Sequence, residues 1–158
     1  MLGPPPSEGN GPGILEYNKR DDLYAKGLNY VIVLEEPIMA KVLFVGTHGT
    51  DDPTRATFPF MEAKAVIEAG HETGIILMLE AAPLIKDHIA AQVQGIGVPP
   101  LKELMDFLFA HDVRISVCEP SGRALGVTED DFAGKNSGFG TSVDAANAYV
   151  GYDRVVTF

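Results

Sequence analysis

Four short apolar runs limit what this chain can become: Lys41-Val-Leu-Phe-Val45, Gly74-Ile-Ile-Leu-Met-Leu79, Val113-Arg-Ile-Ser-Val117 and Arg154-Val-Val-Thr-Phe158. Each has the length of a strand, and the first two are apolar throughout, as strands buried on both faces are. The stretches between them are too long for hairpins and carry helix signals, so the strands are expected to run parallel through crossovers. Asp51 or Asp52 can cap a helix with Pro53 at its first position. Phe58, Met61, Ala65 and Ala69 recur there at helical spacing until Gly70, and Pro59 either kinks this helix or marks its true start. Pro83 opens a second helix in which Leu84, Ile85, His88 and Ile89 share a face. Leu101, Leu104, Met105 and Leu108 form the stripe of a third. Thr141-Ser-Val-Asp144 reads as a capping-box start to a last helix carrying Val143, Ala146 and Val150. The Gly/Ser/Asn stretch 133–140 leaves room for one more short strand. The fold class is therefore α/β, with a mostly parallel four- or five-stranded sheet covered on both faces.

At 158 residues the chain has the length of one domain. Residues 1–38 differ from the rest: 1–13 are rich in Gly and Pro, and Tyr30-Val-Ile-Val-Leu34 reads as an extra edge strand stopped by Glu35-Glu36-Pro37. They are expected to form a flexible, expendable extension before a domain spanning 39–158. The formal net charge of -10 argues against nucleic acid or an anionic membrane as partner. No run has the length of a membrane span. Met1 to Gly9 lacks the basic start and apolar core of a secretory signal, and a single cysteine cannot form an intrachain disulfide. Both point to the cytoplasm. His48, His71, His88 and His111 are scattered, with no zinc spacing, so no metal is expected.

That one cysteine, Cys118, stands where the third strand should stop, in V113-R-I-S-V-C-E-P-S-G-R-A-L-G-V127. Pro120 suits the first turn of a helix, and Gly126 closes it. A thiol at the carboxyl end of a strand and the amino end of a helix lies where open α/β sheets bind ligands. Free helix N–H groups there favour the thiolate, with Arg123 as a second source of positive potential. The same rim of a parallel sheet gathers the loop Gly46-Thr-His-Gly-Thr50 and Glu80. His48 and Glu80 are candidates to service the thiol. The loop has neither G-x-G-x-x-G nor Gly-Lys-Ser/Thr, and Asp51 and Asp52 would repel a phosphate.

Further segments join this one in a definite order: the Thr/His/Gly loop, Arg55-Ala-Thr-Phe-Pro-Phe60, Ala69-Gly-His-Glu72, Pro99-Pro-Leu-Lys-Glu-Leu104 and the closing Asp153-Arg-Val-Val-Thr-Phe158. Over residues 40–158 the chain resembles the DsrE/DsrF-like (YchN-like) sulfur-relay proteins. The resemblance implies a three-layer α/β/α domain that assembles as a homotrimer or homohexamer. It also implies a cysteine that accepts sulfane sulfur as a persulfide and passes it on. Cys118 matches the strand-end cysteine of the family segment C-x-x-(C/S)-x-x-x-G-(I/V), with Arg123 and Gly126 following in place. Ser121 stands where many relatives carry a second cysteine, which favours handing sulfur to another molecule over closing an internal disulfide.

The leading expectation is a sulfur carrier or sulfurtransferase-like protein working through Cys118 without a cofactor. Arg123 would steady the anion, and His48, Thr50, Glu80 and Ser121 would line the pocket. Its partners would be sulfur donor and acceptor proteins or small sulfane-sulfur compounds. Two alternatives stay open: a small-ligand or protein-binding oligomer with a structural Cys118, and a peroxide-reactive redox thiol.

Overall fold

The computed structural model describes residues 39–158; the extension expected over 1–38, including the strand at Tyr30–Leu34, lies outside the described residues. Among the described residues five strands are present: β1 (Lys41–Gly46), β2 (Glu72–Leu77), β3 (Arg114–Cys118), β4 (Ser137–Gly140) and β5 (Arg154–Thr157). They form one sheet in the order β4-β3-β2-β1-β5, and every neighbouring pair is parallel. The helices are α1 (Pro53–Glu68), α2 (Asp87–Ala90), α3 (Leu101–Ala110), α4 (Glu119–Ala124) and α5 (Ser142–Gly151). Helices on both faces make three layers.

The layers are unequal. From β1 to β4 the chain adds strands in one direction, so right-handed crossovers leave their helices on one face. There Phe60 of α1 and Leu104, Met105 and Leu108 of α3 pack against Phe44, Leu77 and Val117 of the sheet. The last crossover returns past β1 to place β5, which sends α5 to the opposite face. Ala145 of α5 meets Leu43 and Ile76 there, with Ala148 and Tyr152 alongside. Strand periodicity separates the two sets: Ile115 and Val117 point into the large core, while Arg114, Ser116 and Cys118 point to the α5 side.

Several local expectations change. The Asp52 side chain accepts a hydrogen bond from the Arg55 N–H at 3.0 Å, so α1 starts at Pro53 and Pro59 lies within it. Its buried face is Ala56, Thr57, Phe60 and Ala63, whereas Ala65 and Ala69 are exposed. The cap fixes the helix rotation, and α1 is too weakly amphipathic for its sequence to reveal which face turns inward. β2 ends at Leu77, and Leu79–Ile85 winds as a 3₁₀ helix containing Pro83. Leu84 and Ile85 are buried in it, but His88 faces solvent. On α5 the apolar stripe points outward, with Val143 68% and Val150 85% exposed. The stripe of α3 is fully buried, as its spacing predicts.

The loop after β1 is tied on two sides. Thr47 donates from its backbone N–H (3.0 Å) and its hydroxyl (2.6 Å) to the carbonyl of Phe158, whose ring lies 5.7 Å from that of Phe58. Gly49 rests on the Glu80 backbone so closely that a Cβ would lie 2.8 Å from the Glu80 carbonyl carbon. Gly49→Ala should therefore cost about 1–3 kcal/mol by chemical denaturation, as overpacking against an immovable backbone does.

A second expectation concerns acid stability. The hydroxyl of Thr141, then its N–H, hold the Asp144 carboxyl below its ordinary 3.8, closing the capping box of α5. A depressed folded value means the stabilisation is complete above pH 3.8 and fades as pH falls toward the folded value. Asp144→Ala should be less stable than the parent at neutral pH, and the gap should close on acidification.

Candidate functional site

Cys118 ends β3 and occupies the cap position of α4, half-buried, with φ −55° and ψ 117°. Pro120, lacking an N–H, prevents the strand from continuing and fits the first turn of the helix. The Ser121 hydroxyl donates to the Cys118 sulfur at 3.6 Å. Gly122 lets α4 lie flat on the strand ends: a Cβ there would lie 2.7 Å from the Phe139 ring and 2.9 Å from Val117. Gly126, at φ +75°, stops the helix, and its carbonyl accepts from Lys86 Nζ at 2.5 Å. Lys86 also pairs with Asp131 at 3.0 Å, so the turn beyond the thiol is fastened to the rest of the domain.

Arg123 is engaged elsewhere. Its guanidinium pairs with Glu119 at 2.8 Å and Glu129 at 3.3 Å and stacks over Phe139 at 4.4 Å. These partners take up the positive charge that the sequence offered to the thiol. His48 stands between Thr47 Oγ1 at 3.2 Å and Arg55 Nη1 at 3.4 Å, in the β1–α1 loop. Thr50 is exposed in the same loop, and Glu80 is exposed at the start of the 3₁₀ helix. Asp51 accepts from the Gly49 N–H at 2.6 Å, which holds its carboxyl below the usual range. The loop and Glu80 meet through Gly49, at the ends of β1 and β2, as the parallel rim predicts.

The thiol itself opens on a different feature. On the α5 side of the sheet lies a cleft of about 430 Å³, and Cys118 is part of its wall. Arg114 and Ser116 join it from the same strand, at alternate positions. Thr141, Asp144 and Tyr152 close the other side. The cleft exists because α5 touches the sheet mainly through small residues and because glycine occupies sheet positions on this face. At Gly74 the Tyr152 ring fills the missing side chain's place, and a Cβ would lie 3.2 Å from its Cζ. Burial there raises the Tyr152 phenol above its ordinary 10.0.

Of the residues selected from sequence, only Cys118 lines the cleft; Arg123, His48, Thr50, Glu80 and Ser121 do not. Arg114 and Ser116 were missed, although their spacing from Cys118, four and two residues back along a strand, puts all three on one face. Asp144 and Tyr152 arrive only through the last crossover, which no local pattern reveals. Among the described residues, no three His, Cys, Asp or Glu side chains are grouped to hold a metal ion. No helix among them is long and apolar enough to cross a membrane.

Comparison with known proteins agrees with this architecture. The crystal structure of YchN protein from E. coli matches with a TM-score of 0.54 at 17% identity, over 77% of this chain and 100% of that one. At that identity the likeness is one of fold. No curated protein matches the chain. The DsrE/DsrF-like family matches residues 40–158, which takes in every strand of the sheet and Cys118. The chain belongs to the DsrE/DsrF-like family.

Proposed function

We propose that the protein is a sulfur carrier that holds sulfane sulfur as a persulfide on Cys118. The observation that carries this reading is the position of the thiol. It ends a central strand, is partly open, accepts a hydrogen bond from Ser121 and faces a cleft large enough for a small donor. In the transfer, the Cys118 thiolate attacks the outer sulfur of a donor R–S–SH. The S–S bond breaks, R–S⁻ leaves, and Cys118–S–SH remains. An acceptor thiolate then repeats the step on Cys118, so no external oxidant or cofactor is required. Ser121 cannot resolve the persulfide as a cysteine would, and this directs the sulfur to a second molecule. A free thiol of this kind suits a reducing compartment, and we assign the protein to the cytoplasm.

The same reading includes self-assembly. Val143 and Val150 are 68% and 85% exposed on α5, and Val155 and Val156 are exposed on the edge strand β5. An apolar helix face beside a strand edge that no other described strand covers suits a second copy of the chain, in a homotrimer or homohexamer.

Reduced protein treated with polysulfide should gain mass in whole sulfur atoms, reversibly with dithiothreitol, and Cys118→Ala should gain none. No gain in the parent would leave Cys118 as a structural thiol in a binding protein. Oxygen in place of sulfur, on peroxide treatment alone, would favour the redox-sensing alternative. Ser121→Ala should slow loading by roughly two- to ten-fold, the usual net worth of one hydrogen bond. In sedimentation, Val150→Lys should shift the parent assembly toward monomer without lowering helix content.

A further inference from the structure

Gly140 ends β4 as the strand partner of Cys118. Asp144 of α5 packs beside it: a Cβ at Gly140 would lie 3.9 Å from the Asp144 Cβ. Neighbouring strands stand about 4.8 Å apart, which puts the Asp144 Cβ within about 9 Å of the Cys118 Cβ. Both residues belong to the wall of the same cleft. The Asp144 carboxylate is fixed there, accepting from the Thr141 N–H at 2.8 Å and from its hydroxyl at 2.7 Å. Those donors are neutral, so they hold the group in place and leave its negative charge standing.

The other charges around the thiol are answered or further off. Glu119, next to Cys118 in the chain, pairs with Arg123 at 2.8 Å. Arg114 shares the cleft wall, but its Nη2 lies 4.0 Å from the place of a Cβ on Gly138, the partner of Ser116. Gly138 is one step of about 6.6 Å before Gly140 along the strand. By this register the unanswered charge nearest the sulfur in the cleft wall is negative.

We propose that Asp144 sets the charge preference of the Cys118 cleft, favouring sulfur donors with an ammonium close to the sulfane sulfur, the aminothiol persulfides. In such a donor, H₃N⁺–R–S–SH, the ammonium meets Asp144 while the outer sulfur meets Cys118. The Cys118 thiolate attacks the outer sulfur and the S–S bond breaks. Cys118–S–SH remains, and the aminothiol leaves as its thiolate with the ammonium unchanged. A carboxylate in the ammonium's place, or the sulfonate of thiosulfate, stands against Asp144. The substrate class rests on the sulfur-carrier reading, whereas the charge preference belongs to the thiol whether or not it transfers sulfur.

The two are read separately. Cys118 is modified with 2-aminoethyl methanethiosulfonate, a cation, and with 2-sulfonatoethyl methanethiosulfonate, an anion, and each rate is divided by that of 2-mercaptoethanol. At low ionic strength the cation should be favoured roughly five- to ten-fold, as one fixed charge at this range implies, and salt should level the rates. Asp144→Asn should remove most of the preference and Asp144→Glu should keep it. Asp106→Asn, the same change of net charge on α3 across the sheet, should leave it unaltered. No preference in the parent, an equal preference in Asp144→Asn, or equal losses in Asp144→Asn and Asp106→Asn overturns the assignment. So does a thiol that neither reagent modifies, since the cleft would then admit no small donor. Cysteamine persulfide should also load Cys118 faster than 3-mercaptopropionate persulfide, and equal loading overturns the substrate class. If the reagents discriminate and no persulfide loads Cys118, the carrier reading fails and the charge preference stands.

Discussion

A right-handed crossover has one face of the sheet on which to land once the direction of strand addition is set. Here the direction reverses once, between β4 and β5. The earlier crossovers put α1, α3 and α4 on one face, where Phe60, Leu104 and Leu108 complete a dense apolar layer. Among the described residues, the reversal leaves the other face to α5 alone. A helix of ten residues, meeting the sheet through Ala145, Ala148 and Tyr152, cannot cover five strands. The cleft and the exposed valines both descend from that shortage.

Cys118 stands at the seam between the two faces. Its neighbour Val117 is locked in the large core, and Gly122 holds α4 against Val117 and Phe139. The backbone at the thiol is thus fixed from the packed side, while the side chain opens toward the thinly covered one. A reactive group on a rigid mount that borders free space needs no moving part to meet a small molecule. The local electrostatics are more balanced than a helix start alone would give. Glu119 lies in the first turn of α4, and Arg123 answers Glu119 and Glu129. The Ser121 hydroxyl is the polar group actually directed at the sulfur.

Charge is divided in the same way. With a net charge of -10 the protein repels simple anions at long range, yet the cleft wall includes Arg114, which makes no ion pair with another described residue. Screening shortens the general repulsion to about 8 Å at physiological ionic strength, so a ligand that has entered meets the side chains of the cleft wall rather than the average field. The outer face of α5 is apolar and its inner side small and polar, so one helix serves both an exposed surface and the cleft.

Four of the strands, the stripe of α3, a helix cap at Asp51 or Asp52, the capping box at Thr141 and the strand-end placement of Cys118 were determined by the sequence itself. Each depends on residues within one turn or one strand of each other, where spacing and side-chain chemistry leave few choices. Rotation of α1 was not legible, because the fully buried Ala56, Thr57 and Phe60 alternate with Phe58 and Met61, equally apolar but only partly buried. The valines of α5 lie at the surface, since apolar spacing shows that a face must be covered but not whether the same chain covers it. The neighbourhood of the thiol was decided only by the tertiary structure. Arg123, five residues from Cys118, was drawn away by nearer carboxylates, whereas Asp144 and Tyr152, distant in sequence, were carried to the cleft by the last crossover. Partners along the chain compete through local geometry, but partners across the sheet are chosen by the direction in which strands are added.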